Sequence, residues 1–242
     1  MKTRAGILAL GLCAAPGMAS AQTMQWTDKG YVTFNVGAQV GTHNLDTSST
    51  FTLYEEPASV TSTQEVKTGA FFEIGGAYRV WGNNILGGIS YTHTTSDADV
   101  SLTASIPDQF ITDRPRAVTS TQPGAKHTEN TVHLDAIWMM PVANKLDVGL
   151  FAGPSIISVK QQTVTTISNI AEPGPTFTAP FTEVKKTTVG FNLGVDVQYL
   201  VAKKVAVGGL ARFVLGSAEI EGATDNLSLN GFQIGVGVRY RF

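Results

Sequence analysis

The side chains best suited to chemistry in this sequence are four histidines and the serines near them. The histidines are His43, His93, His127 and His133. Their spacing contains no H-x-H or H-E-x-x-H pattern and no glycine-rich phosphate loop appears, so we expect no metal site and no cofactor. A hydrolytic triad would have to use His93 with Ser90, or His133 with Ser101 or Glu129. Neither pair places a histidine and a serine side by side on one strand, and we expect that the protein is not an enzyme.

A second group of reactive residues consists of charged side chains at alternate positions of extended segments. Four acids, four arginines and one histidine share the polar face of those segments: Glu73, Arg79, His133, Asp135, Asp147, Asp196, Arg212, Arg239 and Arg241. Burying an unpaired charge is costly, so equal numbers of acids and arginines predict ion pairs. We expect an upper cluster of Glu73, Asp135 and Arg212. We expect a lower cluster of Asp147, Asp196, Arg79 and Arg239.

The last segment, residues 228–242, shows which kind of element carries these charges. Its apolar residues occupy every second position: Phe232, Ile234, Val236, Val238, Tyr240 and Phe242. Glycine, glutamine and arginine fill the positions between them. Strict alternation with a period of two predicts a β-strand with one apolar and one polar face. A strand whose apolar face ends on an aromatic residue suits a sheet that meets lipid.

Seven further segments alternate in the same way. With the last one, they cover approximately Gly30–Thr42, Thr68–Trp81, Ile85–Thr94, Asn130–Met140, Leu146–Ser158, Thr188–Leu200, Val205–Gly216 and Leu229–Phe242. A tilted strand needs roughly 9–11 residues to cross the hydrocarbon of a membrane, and each segment is long enough. Three tight connections alternate with four long ones that contain most of the prolines, which we expect outside the strand ladders. Residues 162–170 are rich in β-branched side chains, so a ten-stranded barrel is a second reading.

The aromatic residues sort into two belts when the strands alternate in direction. One belt, at the short-turn ends, contains Trp81, Trp138, Tyr199, Tyr240 and Phe242. The other, at the opposite ends, contains Phe72, Tyr91, Phe191, Phe213 and Phe232. Aromatic residues concentrate at both interfaces of a membrane, so two belts from one topology favour a membrane protein over a soluble sandwich.

The first residues and the composition indicate export. Lys2 and Arg4 precede a short apolar run and the small residues Ala19-Ser20-Ala21, which predicts a signal peptide, residues 1–21, cleaved before Gln22. Cleavage would remove the only cysteine and, with Lys2 and Arg4, shift the formal charge from -2 to -4. That charge is too small and scattered for nucleic-acid binding. Residues 22–242 are long enough for one domain.

These patterns resemble the bacterial outer-membrane β-barrel proteins, in particular the OmpA-type transmembrane domain and the small porin-like barrels. The resemblance implies an all-β fold, a transmembrane antiparallel up-and-down β-barrel of eight strands with short periplasmic turns and long extracellular loops. It also implies that Tyr240 and Phe242 form an assembly signal read by the barrel-assembly machinery. Its expected surroundings are outer-membrane lipid and lipopolysaccharide, and we expect a monomer.

The function expected from these features is a structural and surface-exposed one, with a narrow porin-like passage for small solutes as an open question. An eight-stranded interior is only wide enough for side chains to fill, which favours a plugged barrel. A surface-loop adhesin and a lipid A-modifying enzyme are the alternatives. The sequence identifies neither a solute nor a partner of the loops.

The terminal aromatic residue gives a first testable expectation. Replacing Phe242 by Ser removes the side chain that the resemblance assigns to recognition by the assembly machinery. We expect slower insertion and a lower yield of folded protein, measured by pulse-chase labelling of outer membranes, with Val238→Ser as a control on the same face. Normal insertion of the Phe242 variant would contradict the assembly role.

Overall fold

The computed structural model describes residues 26–41, 43–164, 167–171, 176–219 and 226–242. The predicted signal peptide lies outside these residues. The strands, numbered in chain order, are β1 (Gly30–Val40), β2 (His43–Leu53), β3 (Glu56–Val66), β4 (Gly69–Trp81), β5 (Ile85–Pro107), β6 (Pro115–Ala143), β7 (Leu146–Val164), β8 (Ser168–Ala171), β9 (Thr176–Thr178), β10 (Phe181–Ala202), β11 (Val205–Leu215), β12 (Ser217–Ala218), β13 (Leu227–Ser228) and β14 (Gly231–Arg241).

Eight of these strands form a closed antiparallel ring. Its order is β1, β4, β5, β6, β7, β10, β11 and β14, and pairing of β14 with β1 closes it. The closing register joins Val32 to Tyr240 and Val40 to Phe232 along the full length of β1. The predicted eight-stranded barrel is confirmed. In the described part of the chain, no helix has the length and apolarity to cross a membrane.

The outer surface of the ring is an apolar band. In β14 the residues Phe232, Ile234, Val236, Val238 and Tyr240 are all exposed, whereas the polar residues between them are buried or half-buried. The ten aromatic residues predicted to form two belts are all exposed. Phe213 lies directly opposite Phe232 at one end of the ring, and Val205 lies opposite Tyr240 at the other. Exposed apolar residues on this scale match a wall that faces lipid.

The long connections contain more strand than the sequence indicated. Residues 43–66 form the hairpin of β2 and β3, and β3 pairs with the upper part of β5 outside the ring. β5, β6, β7 and β10 all continue beyond the apolar band. The ten-stranded barrel is wrong, because the ring has eight strands. The main sheet does contain two additional strands, but they come from residues 43–66, not 162–170, and they do not widen the ring.

Three prolines expected outside the ladders lie within or at the ends of strands. Pro107 and Pro115 pair with each other at the tip of the β5–β6 hairpin. Pro123 lies in β6 where the pairing skips from Ala125 to Gln122, beside Gly124 with φ +88°. Strand ends and irregularities are the places where a missing N–H does not break the ladder. Pro173 and Pro175 fall outside the described residues.

The three tight turns lie at the end of the barrel opposite to the long hairpins. We call these the short-turn end and the long-hairpin end. In the first turn Gly82 adopts the left-handed conformation, with φ +56°. The Asn84 side chain donates a hydrogen bond to the Met139 carbonyl oxygen, at 2.7 Å. Glycine takes this conformation at no steric cost, which explains the choice.

The hairpins at the long-hairpin end have a hydrophobic core of their own. Its buried members come from four strands and from the segments just before β8 and just before β10: Val60, Val66, Ala98, Val100, Leu102, Ala104, Ile106, Ala125, Val164, Ile167 and Ala179. Phe51, Leu53, Val118 and Phe181 pack against it. Burial of this apolar surface gives the hairpins a stable shape outside the membrane.

The apolar band predicts how the wall responds to charge. Val236 is 66% exposed in the middle of β14, so Val236→Arg places a cation on the lipid face and should destabilise the barrel by about 2–4 kcal/mol. The measurement is the free energy of unfolding in urea from phospholipid vesicles. Phe110→Arg, at a hairpin tip that is 86% exposed, is the control and should leave stability nearly unchanged. Equal effects at both sites would contradict a lipid-facing band.

Candidate functional site

The interior of the ring holds the nine charged or ionisable residues singled out in the sequence. They project inward because the strand pleat turns every second side chain away from the apolar outer face. Glu73, His133, Arg212, Arg239 and Arg241 are almost fully buried, with exposed fractions of at most 3%. Asp147 and Asp196 are buried as well, and Arg79 is half-buried.

The central contact of the interior is an ion pair between Arg212 on β11 and Glu73 on β4. These strands lie on different parts of the ring, so the pair crosses the interior. Asp135 on β6 lies 3.9 Å from the Arg212 guanidinium and makes a weaker second contact. The guanidinium also lies over the Phe151 ring, 5.1 Å from its centroid. The expected upper cluster therefore comes together, with Glu73 as the main partner of Arg212.

Amide and hydroxyl groups satisfy the remaining oxygens of this central cluster. Asn35 Nδ2 donates to Glu73 Oε1 at 2.8 Å, and Thr92 donates to Glu73 Oε2 at 3.2 Å. Asn192 Nδ2 donates to Asp135 Oδ1 at 2.9 Å and to the Gly153 carbonyl at 3.0 Å. A buried ion pair is retained at low cost only when such additional hydrogen bonds are present, and here they are.

The lower cluster differs from the expected one. Arg239 pairs with Asp196, and both belong to the expected cluster, but the partner of Asp147 is Arg241, at 2.7 Å, which was not expected there. The Arg79 guanidinium instead donates to the Trp26 carbonyl oxygen at 3.3 Å. Asp147 lies at the start of β7 and Arg241 at the end of β14, where both strands reach the short-turn end. That meeting depends on strand stagger, which alternation within single strands does not reveal.

The serine–histidine pairs considered in the sequence do not form a hydrolytic site. Ser90 points inward and donates to Glu73 at 3.4 Å, whereas His93 lies on the outer face with its ring 5.2 Å from the Phe72 ring. His133 hydrogen-bonds Ser155 at 2.8 Å, but both side chains are fully buried. Ser101 is exposed on the part of β5 beyond the apolar band. None of these pairs meets a lipid or a water-borne substrate.

A polar layer lies above the central cluster, towards the long-hairpin end. His127 contacts Gln161 Oε1 at 2.5 Å through Nδ1 and Glu129 Oε1 at 2.7 Å through Nε2. Burial disfavours the charged imidazole, but the hydrogen bond to Glu129 and its negative charge, with the help of Gln161, raise the pKa of His127 above its usual value. Gln39 donates to Glu129 Oε2 at 3.0 Å and extends the layer to β1.

This polar layer connects the outer hairpins to the interior of the barrel. Gln161 Nε2 donates to Gln64 on β3 at 2.7 Å. On the other side, Gln233 donates to Gln39 at 2.8 Å and accepts from Arg212 at 3.4 Å. The sequence reading included none of these glutamines in its two clusters. The sequence does show that Gln39 and Gln233 occupy inward positions of their strands. Because an amide is uncharged, its burial does not require an ion-pair partner, and the sequence therefore does not predict which residues these glutamines contact.

Apolar residues fill much of the remaining interior. One cluster of buried side chains lies towards the short-turn end: Trp26, Tyr31, Phe71, Ala77, Leu86, Ile137, Met139, Phe151 and Leu210. The cavity among Tyr31, Glu73, Ser90, Asp135 and Arg212 has a volume of only about 40 Å³. That is room for one or two water molecules. Within the described ranges, no group of three or more His, Cys, Asp or Glu side chains is arranged to hold a metal ion.

Comparison with known proteins identifies the kind of barrel. A family model described as "Outer membrane protein beta-barrel domain" matches residues 5–242. The chain belongs to this family of outer-membrane β-barrels. Membership places it in the outer membrane of Gram-negative-type cells, where the short turns of such barrels face the periplasm and the long hairpins face the exterior. No curated protein sequence matches the chain.

Several solved structures resemble this outer-membrane barrel at low sequence identity. Neisserial surface protein A is 14% identical, with 88% of this chain and 97% of that chain covered and a TM-score of 0.47. OprG from Pseudomonas aeruginosa is 10% identical, with coverage of 90% and 99% and a TM-score of 0.48. The outer membrane protease OmpT from Escherichia coli is 10% identical, with coverage of 91% and 99% and a TM-score of 0.41. One of these three matches is thus named as a protease.

The central ion pair predicts a strong dependence of stability on charge balance. Arg212→Met leaves Glu73 buried with its cation removed, which should cost about 3–5 kcal/mol in the free energy of unfolding. The double variant Arg212→Met with Glu73→Gln removes the stranded charge and should recover a large part of that loss. Unfolding in urea from vesicles measures both. A double variant no more stable than the single one would contradict the pairing.

Proposed function

We propose that this protein is a closed outer-membrane anchor that presents its long β-hairpins as a binding surface at the cell exterior. The observation that carries this proposal is that the same strands enclose two different interiors, one inside the membrane band and one beyond it. Inside the membrane band the barrel is filled by ion pairs and apolar side chains. Beyond the band the strands continue around a separate hydrophobic core that has no role in crossing the membrane.

The filled interior supports the anchor half of the proposal. Arg212, Glu73 and Phe151 occupy the middle of the ring, and Arg239 and Arg241 occupy the short-turn end with their carboxylates. The central cavity of about 40 Å³ has no room for a solute larger than water. An eight-stranded ring is narrow enough for side chains to fill it completely.

The hairpin tips support the binding half of the proposal. The β2–β3 turn and the β5–β6 loop meet, because the Asp113 N–H donates to Glu56 Oε1 at 3.2 Å. Phe110 and Ile111 are exposed at this junction, and Tyr54 is partly exposed beside them. Tyr54 and Glu55 hold φ values of +52° and +67°, a conformation that glycine or asparagine takes at lower cost. Costly turn residues beside exposed apolar side chains fit a surface selected for contact.

Narrow passage of small solutes is the second candidate function. It is favoured by the charged lining of the central cavity, where Arg212 meets Glu73 and Asp135. Rearrangement of that one pair would connect the cavity to its neighbours. We rank this function second, since the apolar cluster of Ile137, Met139 and Leu210 lies below the pair and would still obstruct the path.

We also propose that the protein is not an enzyme. The serine and histidine candidates either lie on opposite faces of the wall or are buried away from substrate. The lipid surroundings are a further proposal: Lys160 and Lys185 lie opposite each other just beyond the apolar band, Glu183 contacts Lys160 at 3.7 Å, and lipopolysaccharide phosphates would offset the remaining positive charge. The measurement for this contact is the amount of lipopolysaccharide that stays bound during purification. It should be lower in a double variant with Lys160→Gln and Lys185→Gln.

The binding surface is tested at the hairpin tip. Phe110→Ser with Ile111→Ser removes the exposed apolar contact and should reduce adhesion of cells that display the protein to a cultured epithelial monolayer by about tenfold. Thr121→Ala, on the exposed side of the same hairpin, is the matched control. Equal amounts of folded protein at the surface must be verified by antibody labelling. Unchanged adhesion of the tip variant would contradict the proposal.

The closed interior is tested separately by conductance in planar bilayers. We expect no steady openings from the folded wild-type protein. The double variant Glu73→Ala with Arg212→Ala removes both members of the central pair, leaves only Asp135 without its weaker contact to Arg212, and reports whether that pair alone blocks the path. Steady openings of the wild-type protein would instead favour the narrow pore.

A further inference from the structure

The outer face of the hairpin sheet carries a regular array of hydroxyl groups. Beyond the apolar band, β2, β3, β5 and β6 lie side by side in that order. Three successive rows of side chains cross these strands on one face, and the middle row contains Ser48, Thr61, Thr103 and Thr119. The row nearer the tip contains Thr50, Ser59 and Ser105, and the row nearer the membrane contains Thr63, Ser101 and Thr121. We call these ten residues the hydroxyl array.

The hydroxyl array faces solvent. Its side chains alternate along the strands with Val60, Leu102 and Val118, which belong to the hydrophobic core on the other face of the sheet. Eight of the ten array residues are exposed, and Ser59 and Ser105 are half-buried. Among the residues that the structure describes, none of the array hydroxyl groups has a hydrogen-bond partner. Each hydroxyl therefore keeps one donor and two acceptor positions for water or for a ligand.

The composition of the array is not that of an ordinary exposed strand surface. Of the twelve positions in the three rows, ten carry a hydroxyl and only Asp46, at the β2 edge, is charged. A soluble surface commonly has roughly 25–35% charged residues. Strand propensity favours threonine, but it does not account for the four serines, which share with threonine only the hydroxyl. The common property of the array is therefore the hydroxyl group itself.

This composition narrows the class of partner. Aromatic residues and arginine, which dominate protein–protein contacts, are absent from the array. Nucleic acids and anionic lipids are bound through lysine and arginine, which it also lacks. A sugar hydroxyl both donates and accepts hydrogen bonds, as do the hydroxyls of serine and threonine. A neutral ligand rich in hydroxyl groups is the class that the array matches.

The spacing of the array favours a polymer over a single sugar. Neighbouring strands lie about 4.8 Å apart and successive outward residues of one strand about 7 Å apart, so the hydroxyls repeat in two directions. Neighbouring strands are rotated by about 20–25°, so the array is curved. A flexible chain laid across the strands can follow that curvature, whereas a rigid crystal surface cannot. We propose that the hydroxyl array binds a neutral polysaccharide outside the cell. Each contact is weak, and the repeats of both partners add the contacts together.

The array is a different surface from the hairpin tip. The two proposals share only the position of the hairpins outside the membrane, because Phe110 and Ile111 are not members of the array. The variant Phe110→Ser with Ile111→Ser should therefore leave polysaccharide binding unchanged. Failure of the adhesion proposal and failure of the polysaccharide proposal are distinguishable for this reason.

The methyl groups of the threonines offer a direct test. The folded protein, labelled with carbon-13 at threonine methyl groups and placed in nanodiscs, is titrated separately with cellohexaose and with mannohexaose, two neutral hexasaccharides. We expect saturable NMR shifts of Thr61, Thr103 and Thr119 with at least one of them, with a dissociation constant on the order of 1 mM. Thr95 and Thr187 are exposed outside the array, so their signals should not move.

The role of the hydroxyls is tested by changing three residues together, since one hydroxyl among ten contributes little. The variant Thr61→Val, Thr103→Val, Thr119→Val removes the hydroxyls of three residues in the middle row and keeps their β-branched shape. It should weaken binding of the hexasaccharide about tenfold, read from the methyl signal of Thr63.

A matched triple variant controls for the substitution itself. Thr95→Val, Thr128→Val, Thr187→Val changes three threonines outside the array and should leave the affinity unchanged. An equal loss in both triple variants would overturn the proposal, as would the absence of saturable shifts with both hexasaccharides. Tighter binding of dextran sulfate than of dextran would overturn the assignment to a neutral polymer. The same shifts on addition of unlabelled protein in nanodiscs, without sugar, would assign the array to contact between copies instead.

Discussion

The structure depends on one constraint, which is that backbone N–H and C=O groups have no water to bond with inside a membrane. An open sheet would leave two strand edges unsatisfied in the hydrocarbon. Pairing of β14 with β1 over Tyr31–Arg241 to Val40–Phe232 removes both edges. The outward apolar residues then face lipid, and the charged side chains of the spanning segments are directed inward. The charged interior is thus a consequence of closure rather than a separate feature.

Closure with eight strands also fixes how that interior can be used. The ring is narrow, so Arg212 from β11 reaches Glu73 on β4, and Asn35, Thr92 and Ser90 complete the hydrogen bonds of the carboxylate. The aromatic ring of Phe151 covers the guanidinium. The interior resembles the packed core of a soluble protein whose charged groups form ion pairs, which is the basis for proposing an anchor rather than an open channel.

Chemistry accessible to solvent is consequently displaced to the two ends of the barrel. At the long-hairpin end, water satisfies backbone groups again, and the strands extend around an apolar core to a tip that exposes Phe110 and Ile111. At the short-turn end, Trp26, Lys203 and Arg241 are among the residues that line an open pocket. The chain Gln64–Gln161–His127–Glu129–Gln39–Gln233–Arg212 physically joins the hairpins to the central pair.

The sequence by itself determined the eight spanning strands, their inward and outward faces and the aromatic belts, because a strand in lipid must alternate with a period of two and each such pattern is local. It did not reveal that residues 43–66 form β2 and β3, since outside the membrane no lipid imposes alternation and a strand is specified by the partner it pairs with. It also placed Arg79, and not Arg241, in the lower cluster with Asp147, whereas Arg241 makes the ion pair with Asp147. Only the tertiary structure decided these contacts, because they depend on the stagger between strands and on which distant side chains meet across a narrow interior.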